Sequence, residues 1–344
     1  MDMIAWMKRH RDTLLEMIQV RSAPQADVNA FYTFKKLGIQ AFFITALQKI
    51  LSVLHLGDSG LYRRLALKYE EILKTFLVEN VCKTIDLQYI VSGADTESAD
   101  VPRIIWVMWW QGLEQAPEVV KMCISQIRKQ NKYCDIRIID KYNYSKYVAV
   151  PEIVMAAVQA GTLSLTHLSD IMRVKLLLHH GGVWMDSTLF VTQPLAEDVF
   201  RGSFYSIVEK GSSFIPSRGR WTVYFMSSPP NTLLFRFLDS FFNRYLQQYS
   251  YFIDYLMLDH TIQIAYDQFP SIRTSIDNIP QNNPLYIALY LALEDPVDRE
   301  FCENCISNSE TTIFKLSYKG HLSAQIDGKE TTYGYLIRKY GEDK

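Results

Sequence analysis

Residues 165–190, LTHLSDIMRVKLLLHHGGVWMDSTLF, constrain this chain more than any other stretch. Leu168, Ile171, Met172, Val174, Leu176, Leu177 and Leu178 leave little of a helix from about Thr166 to His180 for water. The Thr166 hydroxyl can cap its first turn, and Gly181-Gly182 can take the left-handed backbone that stops it. A helix is thereby turned directly into a strand that carries Asp186.

The charges in this span point to chemistry. Asp170 and Arg173 lie three apart, hence on one helix face, and buried charges must find partners. In an extended chain Trp184, Asp186 and Thr188 share a face. If the two groups converge, they make a compact polar pocket at the end of a sheet, where open α/β folds bind ligands. Each residue also has a plainer reading. Asp170 and Arg173 can be a surface helix pair, worth only about 0.3–0.5 kcal/mol, and Asp186 an ordinary turn residue. Their occurrence in one span around two glycines favours the pocket.

Along the chain, residues 1–91 read as helical, with breaks near Ser22-Ala23-Pro24 and Gly57-Asp58-Ser59-Gly60. The small, acidic stretch 92–101 marks a boundary, and a second region runs from about 100 to 330. There strands and helices alternate: strand Arg103–Trp109, helix Pro117–Gln130, strand Asp135–Ile139, helix Pro151–Ala160, then the central stretch. This is a βαβ arrangement with parallel strands. Strands at 204–208 and 222–226 follow, then a helix capped by Asn231 and running to Tyr249. A further helix over 251–267 and a last strand over 312–318 complete the expectation.

Lys+Arg 36 against Asp+Glu 37 offers no whole-chain argument for nucleic acid. The five cysteines are scattered, and the Cys302/Cys305 pair lacks the second pair of a structural zinc site, so reduced thiols are expected. The N-terminus lacks a signal-peptide core. Gln40, Gln48 and Lys49 interrupt the apolar run 37–56 short of about 20 clean residues, so a spanning helix is not expected. It can be an amphipathic helix that packs on the protein or lies on a membrane, with Lys8, Arg9 and Arg11 nearby.

The ordered set PRIIWVMWWQG, CDIRIID and LSDIMRVKLLLHHGGVWMDST resembles the capsular polysaccharide synthesis proteins and the wider sugar-transferase group of glycosyltransferase family 32. The same order is similar to the glucosylating bacterial toxins. The resemblance implies an α/β fold of GT-A type, a nucleotide-sugar-binding sheet, beside the N-terminal helical region. It implies that Trp106 stacks on the nucleobase, with Trp109 and Trp110 close by, and that Asp170 and Arg173 contact the donor sugar. Asp186 matches the first acid of a D-x-D motif that binds diphosphate and a divalent metal, Mn²⁺ or Mg²⁺.

The second acid of that motif is absent, since position 188 is Thr188. A hydroxyl ligates without charge, so metal affinity falls or another group helps. Asp259 and His260 are candidates, with core or capping roles as their plainer reading. Lys315 and Lys319 can touch diphosphate, or simply be solvated.

The expectation is a glycosyltransferase using a nucleotide sugar, a UDP-sugar first, on a glycan or lipid-linked saccharide acceptor, with retention at the anomeric carbon. A transferase using a phosphosugar or another nucleotide, and a non-catalytic sugar-nucleotide or glycan-binding protein, stay open. The expected location is cytoplasmic, with peripheral contact at the inner face of the cell membrane also open.

Overall fold

The computed structural model describes residues 26–57, 59–94, 100–209, 216–307, 309–320 and 322–341; the basic cluster near the N-terminus lies outside them. The N-terminal part holds α1 (Ala26–Val53), α2 (Gly60–Asn80) and α3 (Leu87–Ser92). Then come β1 (Ile104–Met108), α4 (Glu118–Gln130), β2 (Asp135–Ile139), α5 (Glu152–Gln159), α6 (Leu165–His180), β3 (Gly182–Met185) and β4 (Leu189–Val191). They are followed by β5 (Tyr205–Ser206), β6 (Phe225–Ser228), α7 (Leu233–Gln248), α8 (Met257–Gln268) and α9 (Pro270–Asp277). The last part holds α10 (Ala288–Leu291), α11 (Arg299–Ser307), β7 (Ile313–Lys315), a short hairpin of β8 (Gln325–Ile326) and β9 (Lys329–Glu330), and α12 (Thr332–Tyr340).

The main sheet has the order β2-β1-β3-β6-β5. β1 pairs parallel with β2 and β3, as the alternating strand-helix pattern predicts, while β6 joins β3 antiparallel and β5 joins β6 antiparallel. The fold is therefore mixed α/β with a mixed sheet. Side chains alternate across a strand. Trp106, Met108, Trp184 and Met226 enter one core with residues of α2, α6, α7 and α8. Ile105, Val107, Val183, Met185 and Phe225 enter the other, with α4, α11, β4, β7 and α12.

Three local expectations change. Ser164, not Thr166, caps α6, its Oγ accepting from the His167 amide. Asn231 sits at φ 57°, donates to the Gly93 carbonyl and accepts from Arg236, so it ties α3 to α7 without capping α7. Residues 251–256 precede the helix expected from Tyr251, because the Asp254 carboxylate accepts from the Leu256 amide and turns the chain there.

The stretch 92–101 also does not separate two cores. Leu73 and Leu77 of α2 are fully buried in the core that holds Trp106. Lys74 pairs with Asp267, Tyr69 donates to Asp254, and Arg218 pairs with Glu70. In α1, Gly38 breaks the helix at φ 85°, ψ 177°. The piece from Phe34 to Val53 is the one helix among the described residues long and apolar enough to cross a membrane, and 17% of it is buried. Past Gly38 the uninterrupted turn count covers about 22 Å at 1.5 Å per residue. That falls short of a hydrocarbon core of about 30 Å.

Gly181 and Gly182 end α6 as expected, at φ 63° and 98°. A Cβ on Gly182 would lie 2.5 Å from the Ile104 carbonyl oxygen, and one on Gly181 2.7 Å from the Pro230 ring. Both the backbone angle and the space therefore exclude a side chain. Gly182→Ala should cost about 3 kcal/mol of stability, from left-handed strain plus displacement of β1. Urea unfolding of the variant against the parent measures it, and an unchanged midpoint would contradict the close approach.

Candidate active site

α6 delivers two charged side chains into the interior. Asp170 and Arg173 are 5% and 3% exposed, and Arg173 Nη1 lies 3.2 Å from Asp170 Oδ1. The next strand returns the chain so that Asp186, just past β3, meets the same guanidinium: Arg173 Nη2 is 3.3 Å from Asp186 Oδ1. Arg173 also donates to the Val223 carbonyl at 2.6 Å and lies over the Trp184 ring at 5.0 Å. A single arginine thus bridges a helix carboxylate and a strand-end carboxylate.

β7 brings in the third charge. It pairs antiparallel with β4, with Leu189 opposite Lys315. That register sets Lys315 beside the turn at 186–188, where its Nζ donates to Asp186 Oδ2 and to Thr188 Oγ1, each at 2.8 Å. Trp184 Nε1 donates to Asp186 Oδ1 at 3.0 Å. Both oxygens of Asp186 are therefore engaged.

These groups line a cavity of about 490 Å³. Trp109 and Trp110 stand at its wall, past the carboxyl end of β1, Trp109 edge-on to Tyr318 at 5.1 Å. The Trp109 indole N–H is buried with no partner among the described residues. Trp106 is not part of the cavity. It is fully buried, its Nε1 donates to the Gly181 carbonyl, and Tyr147, His180 and Arg137 cover its ring. No face is left for a base, so the stacking role expected of Trp106 is corrected. A residue inside a strand covered by helices cannot reach a ligand at the strand's end.

Asp259 lines the cavity, and its Oδ1 accepts from Trp221 Nε1 at 3.0 Å. His260, on the neighbouring position of α8, turns instead to Asp254 at 3.5 Å and is removed from the candidate ligands. Lys319 is at the exposed rim. Sequence reasoning missed Glu209, Trp221, Tyr224, Tyr255 and Tyr286, which come from separate segments and complete the walls. Tyr286 donates its hydroxyl to Glu209 at 3.0 Å. The five cysteines are free; burial pushes the Cys302 thiol up to about 11 and Cys305 to about 12, which leaves both as core thiols.

Hard divalent cations take one or two carboxylates besides phosphate oxygens and water. Asp186 and Thr188 supply one carboxylate and one neutral hydroxyl, and both already accept from the Lys315 ammonium. No group of three or more His, Cys, Asp or Glu suited to a metal occurs among the described residues. This set does not fit the metal that the resemblance implies.

The carboxylates differ in charge state. Burial pushes the Asp170 carboxyl up to about 7, with Arg173 offsetting only part, and pushes Asp259 up to about 6 against the Trp221 hydrogen bond. Burial also acts on Asp186, but Lys315 and Arg173 outweigh it and hold that carboxyl below its ordinary value. Asp170 and Asp259 bind protons more tightly folded than unfolded. Their contribution to stability is full below about pH 4 and is lost as pH rises through about 6 to 7. Between pH 5 and 8 Asp170 should account for a loss on the order of 3 kcal/mol. Thermal melts across that range should fall by several degrees for the parent and less steeply for Asp170→Asn.

A family model described as capsular polysaccharide synthesis protein matches residues 61–336. No curated protein matches the chain. Among solved structures the PaToxG glycosyltransferase is similar at 13% identity, covering 69% of this chain and 93% of that one, with a TM-score of 0.38.

Proposed function

The chain belongs to the capsular polysaccharide synthesis protein family, and from that premise we propose that it is a glycosyltransferase. It moves a sugar from a nucleotide-sugar donor, a UDP-sugar first, to a growing capsular or cell-surface polysaccharide, on a sheet of GT-A type. The observation that carries this reading is the Asp170–Arg173–Asp186 bridge inside an aromatic-lined cavity.

Chemically, the arrangement suits a donor with hydroxyls at one end and diphosphate at the other. Carboxylates accept from sugar hydroxyls, and the two cations offset the charge that grows on the departing nucleoside diphosphate. Trp109 and Trp110, rather than Trp106, stack on the base, since an indole face matches a planar ring. In the proposed retaining reaction the bond from the anomeric carbon to the phosphate oxygen breaks, and the acceptor oxygen bonds on the same face. The acceptor's hydroxyl proton passes to that departing phosphate oxygen.

A screen of UDP-, GDP-, CMP- and dTDP-sugars with the full chain tests this, reading released nucleotide with and without glycan acceptors. Release from one donor, with a product of retained anomeric configuration by NMR, is expected. An inverted anomer would overturn retention. Donor binding without turnover in every acceptor mixture would favour the sugar-nucleotide-binding alternative.

The acceptor side motivates a place at the membrane. Ile39, Phe43, Leu47, Ile50 and Leu54 are exposed at helical spacing, while Ala41, Ile44 and Leu51 are buried. With Lys35, Lys36 and Lys49 exposed around them, this face suits an anionic lipid surface, lying on it rather than crossing. The proposed location is the inner face of the cell membrane, where a lipid-linked saccharide would be presented. Sedimentation with phosphatidylglycerol vesicles should carry the parent down and Phe43→Glu/Ile50→Glu much less; equal sedimentation would remove the assignment.

A further inference from the structure

The turn 186–188 sits where a metal-binding pair of acids would be expected, yet it holds one acid and a hydroxyl. What completes it is Lys315. Its ammonium contacts Asp186 Oδ2 and Thr188 Oγ1 at 2.8 Å each, bridging the two side chains of the turn. We propose that the Lys315 ammonium, seated in the fork of Asp186 and Thr188, neutralises the donor diphosphate in place of a divalent cation, so that nucleotide binding here is metal-independent. This rests on the nucleotide-sugar reading above.

Three observations carry it. First, both carboxylate oxygens already have cationic or N–H donors: Oδ1 accepts from Trp184 Nε1 and Arg173 Nη2, and Oδ2 accepts from Lys315. A divalent cation would have to displace the lysine and would then add its charge beside Arg173, in a partly buried site where like charges repel. Second, an ammonium has three donors. Two are spent on Asp186 and Thr188, and the side chain remains 27% exposed at the cavity, which leaves the third able to reach a phosphate oxygen. Third, the position is built by backbone pairing. Leu189 pairs with Lys315, the Leu316 amide donates to the Thr188 carbonyl at 2.9 Å, and the Lys315 amide donates to the Tyr286 carbonyl at 2.6 Å. Backbone pairing thus sets the point from which the lysine reaches Asp186 and Thr188.

The substitution at 188 and the lysine at 315 complement each other. A second carboxylate at 188 would hold a metal or bind the ammonium as a full ion pair. A hydroxyl holds it by a neutral hydrogen bond and leaves its charge less compensated, hence available to diphosphate.

Calorimetry of UDP, GDP, CMP and dTDP on the chain, in EDTA and in Mn²⁺, tests this independently of turnover. Expected is binding of one nucleotide in EDTA within about three-fold of its affinity in Mn²⁺. Lys315→Met should weaken that binding at least about ten-fold, the loss of one charge-assisted contact. Lys315→Gln keeps a hydrogen-bonding head should the methionine variant not fold. Parent binding that requires Mn²⁺, or unchanged affinity in a folded Lys315 variant, would overturn the proposal and leave the glycosyltransferase reading standing. Binding of no nucleotide under either condition would overturn both.

Discussion

Asp186→Asn should lower kcat/KM for transfer about 100-fold or more, in whichever donor the screen selects, with the chain still folded. The carboxylate is the one group that touches Arg173, Lys315 and Trp184 together. Without its charge the two cations lose the anchor that aims them, and a preorganised electrostatic contact of this type is worth about 10²–10³ in rate. Asparagine keeps the shape and one accepting oxygen, so the loss isolates the charge. Asp186→Ala should be worse and also less stable, because Arg173 and Lys315 would be left adjacent with no carboxylate between them. Parent-like transfer by Asp186→Asn at saturating and sub-saturating donor would place the reacting centre elsewhere.

Arg173→Met should destabilise the protein by about 3–5 kcal/mol, since it strands the buried carboxylate of Asp170 and strips a partner from Asp186. The Val223 carbonyl also loses its donor. Methionine fills the volume, so the cost is electrostatic rather than a cavity. The sign with pH follows from the protonation of Asp170. Arg173 offsets part of the burial that raises that group, so without it the group takes its proton at still higher pH, and acid conditions relieve the stranded charge. Urea unfolding at pH 5 should therefore show a smaller loss than at pH 8. Adding Asp170→Asn to Arg173→Met should recover part of the loss at pH 8. Equal losses at both pH values, or strict additivity of the two substitutions, would contradict the coupling.

The same contrast separates what reads directly from a one-dimensional chain from what does not. Asp170 and Arg173 share a helix face by spacing alone, and Gly181-Gly182 force the reversal that brings Asp186 to them. Every link there is local, spanning residues 165–190. The cap at Ser164 instead of Thr166 is the ordinary error of a boundary, because several hydroxyls compete within one turn. Trp106 is a different kind of error. Three tryptophans within residues 106–110 look alike as sequence. Only the depth of helix packing over the sheet makes Trp106 core and leaves Trp109 and Trp110 at the strand's open end.

Lys315, named from sequence as a diphosphate contact, shows why its partners were not legible. It lies in a terminal strand, 129 residues from Asp186, and nothing in its sequence neighbours distinguishes it from Lys319. Its role depends on β7 pairing with β4 rather than joining the main sheet, a choice made by burial of Ile313 and Phe314 against Phe190 and the helices beyond. The aromatic walls from Trp221, Tyr224, Tyr255 and Tyr286 are assembled in the same way, from segments whose only common property is where they end up.

By itself, then, the sequence determined the local devices: a largely buried helix, a glycine-enforced turn, parallel pairing in the βαβ unit, and charged groups placed so that they could meet. Tertiary structure decided which tryptophans face the cavity, that α2 joins the same core as the sheet, that His260 turns away, and that an ammonium completes the turn at Asp186. The physical reason is range. Helix faces, caps and glycine angles depend on neighbours within a few residues, whereas burial and long-range charge pairing depend on which distant surfaces exclude water together.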